Sequence, residues 1–230
     1  MRKVRTPLGP FAFQLYFEDL GEIDEICLDA LKSQSLLPGE PAPIRIERFA
    51  EKQFKTALRY EDLGPDNLGC TIFNSSGAVE AILVSRSLEE QNTVPARRRV
   101  RSTVAHEAGH GLLHGSLFTD SNFTGLAENQ RRILCRSEDI LVESQKFYSG
   151  RWWEFQANQA IGSLLLPRSL VINFLDHCGI ELDSSATRLL TAEQRDALAK
   201  KATLIFDVNP IVVRIRLDFL FPQGRIKIAK

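Results

Sequence analysis

Two histidines four residues apart, with a glutamate directly after the first, are the residues of this chain best equipped for chemistry. His106-Glu107-Ala108-Gly109-His110 is an HExxH motif, set within TVPARRRVRSTVAHEAGHGLLHG at residues 93–115. The periodicity of that run predicts a helix. On a helix, residues four apart lie one turn above each other, so His106 and His110 point the same way. Two neutral imidazoles at that spacing can grip one Zn²⁺, with Glu107 beside the metal instead of on it. Such a centre activates water for attack on a carbonyl, which is hydrolase chemistry.

A short motif of this kind also arises by chance, and paired helix histidines are often surface residues. The surrounding pattern argues otherwise. Val100, Val104, Ala108 and Leu112 form an apolar stripe, while Ser102, His106, His110 and His114 form a second stripe on roughly the opposite side. A helix of that pattern is expected to be buried on both faces. A buried polar stripe is costly unless something satisfies it, and a metal would.

The third ligand has a candidate in RWWEFQANQAIGSLLLP, residues 151–167. Trp153, Ala157, Ala160, Ile161 and Leu164 share a helical face, and Pro167 closes the segment. Glu154, on this separate helix, supplies what a His₂Glu site needs, leaving a fourth position for water. Asn158, one turn on, is placed to hydrogen-bond a ligand histidine or Glu154. A charge in so apolar a helix is uncommon unless paired. A donor for the developing oxyanion is also expected, with His114, Tyr148 and His177 as candidates. His114 is better suited to orienting or packing, and His177 reads most simply as a loop histidine.

The remaining elements must position these groups. Residues 20–37 have a helical period and are followed by PGEPAP, a linker, so residues 1–43 read as an N-terminal extension that packs on the main domain. A short amphipathic helix with Ile46, Phe49, Ala50 and Phe54 follows. GCTIFN and AVEAILVS, separated by turn-forming residues 74–77, predict a β-hairpin. The arginines at 97–99 and 101 read as a solvated helix face. Residues 116–150 are polar and irregular, an insertion or lid with a possible helix over 131–142. Thr191 with Gln194 makes a capping box, and Asp207-Val208-Asn209-Pro210 makes a turn before a last helix. The domains expected are therefore 1–43, a catalytic unit over 44–180, and a helical segment over 181–230. That last segment has helix-turn-helix proportions, with Arg214 and Arg216 its obvious nucleic-acid contacts; packing or partner binding is the better reading.

With 230 residues, 43% of them hydrophobic and 25% charged, the chain can bury a real core. Lys+Arg and Asp+Glu are both 29, which argues against a nucleic-acid or membrane-surface partner. Cys27, Cys70, Cys135 and Cys178 are scattered with no CxxC pair, so buried thiols are expected in place of a disulfide framework or second zinc site. No apolar run is long enough to cross a membrane, and the basic N-terminus lacks a signal-peptide core. The expected compartment is the cytoplasm.

Three stretches together resemble one family. RRRVRSTVAHEAGHGLLHG resembles the active-site helix of the ImmA/IrrE metallopeptidases, where an Arg-rich lead-in runs into HExxH and a downstream His. EFQANQAIGSLLLP resembles their ExxAN…LLxP helix, and LIFDVNPIVVRIRLDFL their C-terminal FxVS…RL segment. The likeness covers residues 44–220. It implies an α+β, zincin-like domain of the gluzincin kind: a small antiparallel sheet packed on the HExxH helix, and a second helix carrying the glutamate. By match to these motifs, His106, His110 and Glu154 would be zinc ligands and Glu107 the catalytic base. The resemblance further implies an intracellular bacterial endopeptidase whose protein substrate is a partner transcriptional repressor. Forty-three residues lie between His110 and Glu154, a longer gap than the family's, and Asn209 stands where the family often has Ser. Two other classes remain open: a non-proteolytic zinc-bound regulatory or scaffold protein, and a DNA-binding regulator acting through the C-terminal helices.

Overall fold

The computed structural model describes residues 2–5, 13–17, 19–119, 132–136, 151–180 and 191–222. In chain order the first elements are β1 (Arg2–Arg5), β2 (Phe13–Tyr16), α1 (Gly21–Ser33), α2 (Ile46–Phe54), β3 (Leu58–Glu61), β4 (Asn67–Phe73) and β5 (Val79–Ser85). They are followed by α3 (Arg86–Glu90), α4 (Val94–Leu113), β6 (Arg132–Arg136), α5 (Trp152–Leu165), α6 (Arg168–His177), α7 (Ala192–Ile205) and α8 (Pro210–Leu220). The fold is α+β.

Helix α4 is the axis of the molecule. The Thr93 side chain accepts from the Ala96 N–H, and Pro95 sits in the first turn, where its missing N–H costs nothing. Every residue from Val100 to His110 is buried. One side packs on β4, β5 and β6, and the other packs on α5. Burial of both stripes, with Leu112 half-buried at the end of the apolar one, follows from that placement between a sheet and a helix layer.

The sheet has the order β3-β5-β4-β6. The β4–β5 hairpin forms as expected, and its turn is held by Asn74 Oδ1, which accepts from the backbone N–H groups of Ser76 and Ala78, with Gly77 at φ 77°. Two features differ from expectation. β3 joins β5 in parallel, so the sheet is mixed and not wholly antiparallel. The chain reverses between β3 and β4 and again between β4 and β5, which leaves β3 and β5 running the same way with β5 between β3 and β4. In addition, residues 132–136 form strand β6, antiparallel to β4, and not a helix. The edge of β4 away from β5 carries backbone donors and acceptors that need partners, and pairing with this segment satisfies them while burying Ile133 and Cys135. The rest of the expected insertion, residues 120–131 and 137–150, lies outside the described residues.

Behind α5 lie α1 and α8. Ile23, Cys27, Ala30 and Leu31 of α1 enter the same core cluster as Val104, Ile161 and Leu217. Arg216 of α8 is buried, donating to both carboxylate oxygens of Asp24 on α1 at 2.8 and 3.1 Å and to the Leu166 carbonyl at 3.0 Å. Ser163 also hydrogen-bonds Asp24. Arg216, expected as a possible nucleic-acid contact, is thus spent on packing, while exposed Arg214 pairs with Asp196. Two of the α4 arginines depart from the expected solvated face: Arg101 is buried and donates to the Ile44 carbonyl, and Arg98 pairs with Asp207, while Arg97 reaches Asp207 from an exposed position. The capping box of α7 and the Asn209 cap of α8 are both present. Among the described residues, no helix is long and apolar enough to cross a membrane.

Candidate metal centre

Helices α4 and α5 run antiparallel and very close. Gly109 makes the approach possible: a Cβ there would lie 2.7 Å from the Ala160 Cβ and 3.2 Å from the Ala157 carbonyl oxygen. The close pairing puts Glu154 and Asn158, one turn apart on α5, opposite His106 and His110, one turn apart on α4.

Three side-chain atoms converge there. His106 Nε2 is 3.0 Å from His110 Nε2 and 3.1 Å from Glu154 Oε2, and His110 Nε2 is 3.6 Å from the same oxygen. Bonds of about 2.0–2.1 Å at tetrahedral angles would separate zinc ligands by about 3.3–3.4 Å, which matches this triangle. The donor set, two imidazoles and a carboxylate, also suits zinc. His106 Nδ1 lies 3.0 Å from Asn158 Oδ1; the amide oxygen accepts, so Nδ1 carries a proton.

The three histidines of α4 are fully buried and Glu154 is 4% exposed. Burial alone would push His106 down, but the hydrogen bond and charge of Glu154, with the charge of Glu107, outweigh it and hold His106 above its usual range. Burial wins at His110, which is lowered, and at His114, which burial and the neighbouring His110 push down to about 3. Burial would raise Glu154, yet its two histidine partners hold it well below the usual carboxylate range. The cluster therefore keeps an anionic carboxylate against two buried imidazoles, with His106 the one whose charged form Glu154 favours.

Glu107 stands apart from that triangle. It forms a separate group with His106 and Cys135 whose ligand atoms lie within 4.8 Å of one another. Its side chain is fully buried between α4 and β4, where the Thr71 hydroxyl lies 2.6 Å from Oε2 and 3.1 Å from the Glu107 carbonyl oxygen. Gly69 leaves room for it: a Cβ at Gly69 would lie 2.5 Å from Glu107 Oε1 and 2.7 Å from Thr103 Cγ2.

His106, His110 and Glu154 are thus brought together, with Glu107 beside them. His114 is adjacent, its Nδ1 2.9 Å from His110 Nδ1 and its Nε2 3.0 Å from Gln156 Oε1. His177 is the last residue of α6 and not a loop histidine; it stands on the surface, bonded to the Asn173 carbonyl and 3.7 Å from Glu40, and Tyr148 lies outside the described residues. Thr71, Gly69, Cys135 and Gln156 escaped the sequence reading. A glycine inside an apolar strand does signal close backbone or side-chain approach, and a glutamine in a helix this apolar signals a buried partner. Nothing local marked Thr71 or Cys135. No protein-family model matches the chain, and no curated protein matches it by sequence.

Proposed function

We propose that this protein is a zincin-like, zinc-dependent metallo-endopeptidase of the cytoplasm, with His106, His110 and Glu154 holding the metal and Glu107 as the catalytic base. The observation that carries the reading is the convergence of His106 Nε2, His110 Nε2 and Glu154 Oε2 at separations of 3.0, 3.1 and 3.6 Å. A sheet against the HExxH helix and the likeness of three motifs to the ImmA/IrrE metallopeptidases support it. Zinc held there would act as a Lewis acid, polarising the scissile carbonyl and lowering the pKa of water to about 7.

The chain's own groups supply the rest. Glu107 takes the proton of the attacking water and passes it to the leaving amine, base first and acid second. Thr71, donating to Glu107, sets the orientation of the carboxylate. Asn158 holds the His106 ring so that Nε2 faces the site. The substrate class proposed is a partner regulatory protein of the repressor type.

A second reading has its own observation. His106, Glu107 and His110 are all fully buried, closed to any substrate in this conformation. A zinc-bound regulatory protein without turnover would need no access. The two readings separate when lysate of the host organism is incubated with zinc-loaded protein and its new protein N-termini are mapped. The peptidase reading expects new termini with the wild type and none with Glu107→Gln, which keeps its zinc. Termini that persist with Glu107→Gln would remove Glu107 from the mechanism, and none with either protein would favour the regulatory reading.

A further inference from the structure

His114 is not one of the three convergent donors, yet it is fully buried one turn beyond His110. With the Gln156 amide oxygen facing it, its hydrogen-bond partners select one placement of its proton. Gln156 Oε1, 3.0 Å from His114 Nε2, is an acceptor, so that nitrogen carries the hydrogen and donates it. A neutral imidazole protonated at Nε2 has its lone pair on Nδ1. His114 Nδ1 therefore accepts, and His110 Nδ1, 2.9 Å away, donates. His110 is left with its lone pair on Nε2, the atom facing His106 and Glu154.

We propose that Gln156 and His114 form a relay that sets the tautomer of His110, so that His110 presents an unprotonated Nε2 to a metal ion. The relay rests on the metal reading of the site. Helix α5 then supplies the carboxylate, Glu154, and governs both histidines through amide oxygens: Asn158 directly on His106, and Gln156 through His114 on His110. A reversed Gln156 amide would run the chain backwards. Its NH₂ would donate to His114 Nε2, His114 Nδ1 would donate to His110, and His110 Nε2 would carry a hydrogen into the metal position. Burial matters because water at His114 would offer either ring nitrogen a partner and release the constraint. His114 and Gln156 are positioning residues.

The test measures zinc affinity of the full chain by competition with a chromogenic chelator, and reads tautomers from long-range ¹H–¹⁵N correlation spectra of the metal-free protein. The wild type is expected to show His110 protonated at Nδ1 and His114 at Nε2. His114→Leu and Gln156→Met each remove a link and are expected to weaken zinc binding by about 10–100-fold, the usual effect of losing a ligand's supporting partner. His114→Asn, whose Oδ1 can accept from His110 Nδ1, should recover most of that loss. Thermal melts of the zinc-free variants check folding, and Gln156→Met, which keeps the side-chain volume, carries the test if His114→Leu does not fold. Zinc affinity within about twofold of wild type in the folded variants, well short of the outer-partner effect, overturns the relay. So does a metal-free wild type with His110 protonated at Nε2. A wild type that binds no zinc overturns the metal reading itself, and the tautomer spectrum still decides whether the hydrogen-bond chain is set as proposed.

Discussion

Gly109 faces Ala160 across the α4–α5 interface so closely that a methyl group on it would stand 2.7 Å from the Ala160 Cβ. Neither that Cβ nor the neighbouring Ala157 backbone can swing aside, so a larger residue must part the helices. Parting them withdraws Glu154 from the two histidines. Gly109→Ala is expected to lower unfolding free energy by about 1–3 kcal/mol, the usual cost of overpacking, and to weaken zinc binding. Denaturant midpoints and chelator competition measure the two effects. An affinity equal to wild type would mean that helix spacing does not control the site.

Thr71 and Gly69 make a similar claim about the other side of α4. Thr71→Val removes the hydroxyl bonded to a buried carboxylate and should cost about 1–3 kcal/mol of stability. Cleavage should slow while zinc content stays near wild type, because Thr71 touches Glu107 and none of the three convergent donors. Gly69→Ala should act in the same direction through the 2.5 Å approach to Glu107 Oε1. Zinc per chain and cleavage rate, measured on the same preparations, check both.

The Asp207 pairs give the pH prediction. Burial tends to raise Asp207, but its hydrogen bonds to Arg98 and Arg97 outweigh this and hold it below the usual range. A folded-state value below the unfolded one means that the carboxylate adds stability at pH above about 3.9 and that this is lost as pH falls through the folded value. Asp207 has φ 48°, a left-handed conformation that Asn also accepts, so Asp207→Asn isolates the charge. The variant should melt lower than wild type at pH 7 by the equivalent of about 0.5–1 kcal/mol, as partly exposed pairs do. The two melting temperatures should converge as pH falls below the folded-state value of Asp207, where both proteins are uncharged at this position.

Asp24 and Arg216 join α1 to α8, and the arginine is 3% exposed. Arg216→Met strands a largely buried carboxylate and should cost about 3 kcal/mol, while Asp24→Asn with Arg216→Met should recover part of it. Thermal melts of the single and double variants would show whether the pair couples as expected.

The site was more legible in the sequence than the fold around it. Histidines at 106 and 110 and the pair Glu154 and Asn158 declare themselves by helical spacing, which is local information. That the two helices meet depends on Gly109, which the motif contains without explaining. The sheet was less legible because strand pairing is not local. The four-residue β3 carries too little alternation to stand out, and β6 lies in a polar stretch whose partner, β4, is sixty-odd residues away. Arg98 and Arg101 of α4 read as solvated because their partners, the Asp207 carboxylate and the Ile44 carbonyl, are 109 and 57 residues away in the chain. Burial of Arg101 and Arg216 is a tertiary fact with no signature in their own segments.

Zinc content of the purified protein, compared with that of His110→Ala and Glu154→Ala, tests the central claim most directly. The account predicts about one zinc per chain in the wild type, as a three-ligand site requires, and loss of it in both variants. Zinc retained in Glu154→Ala would show that α5 does not supply the third ligand, and a wild type that takes up no zinc when it is offered would contradict the account as a whole.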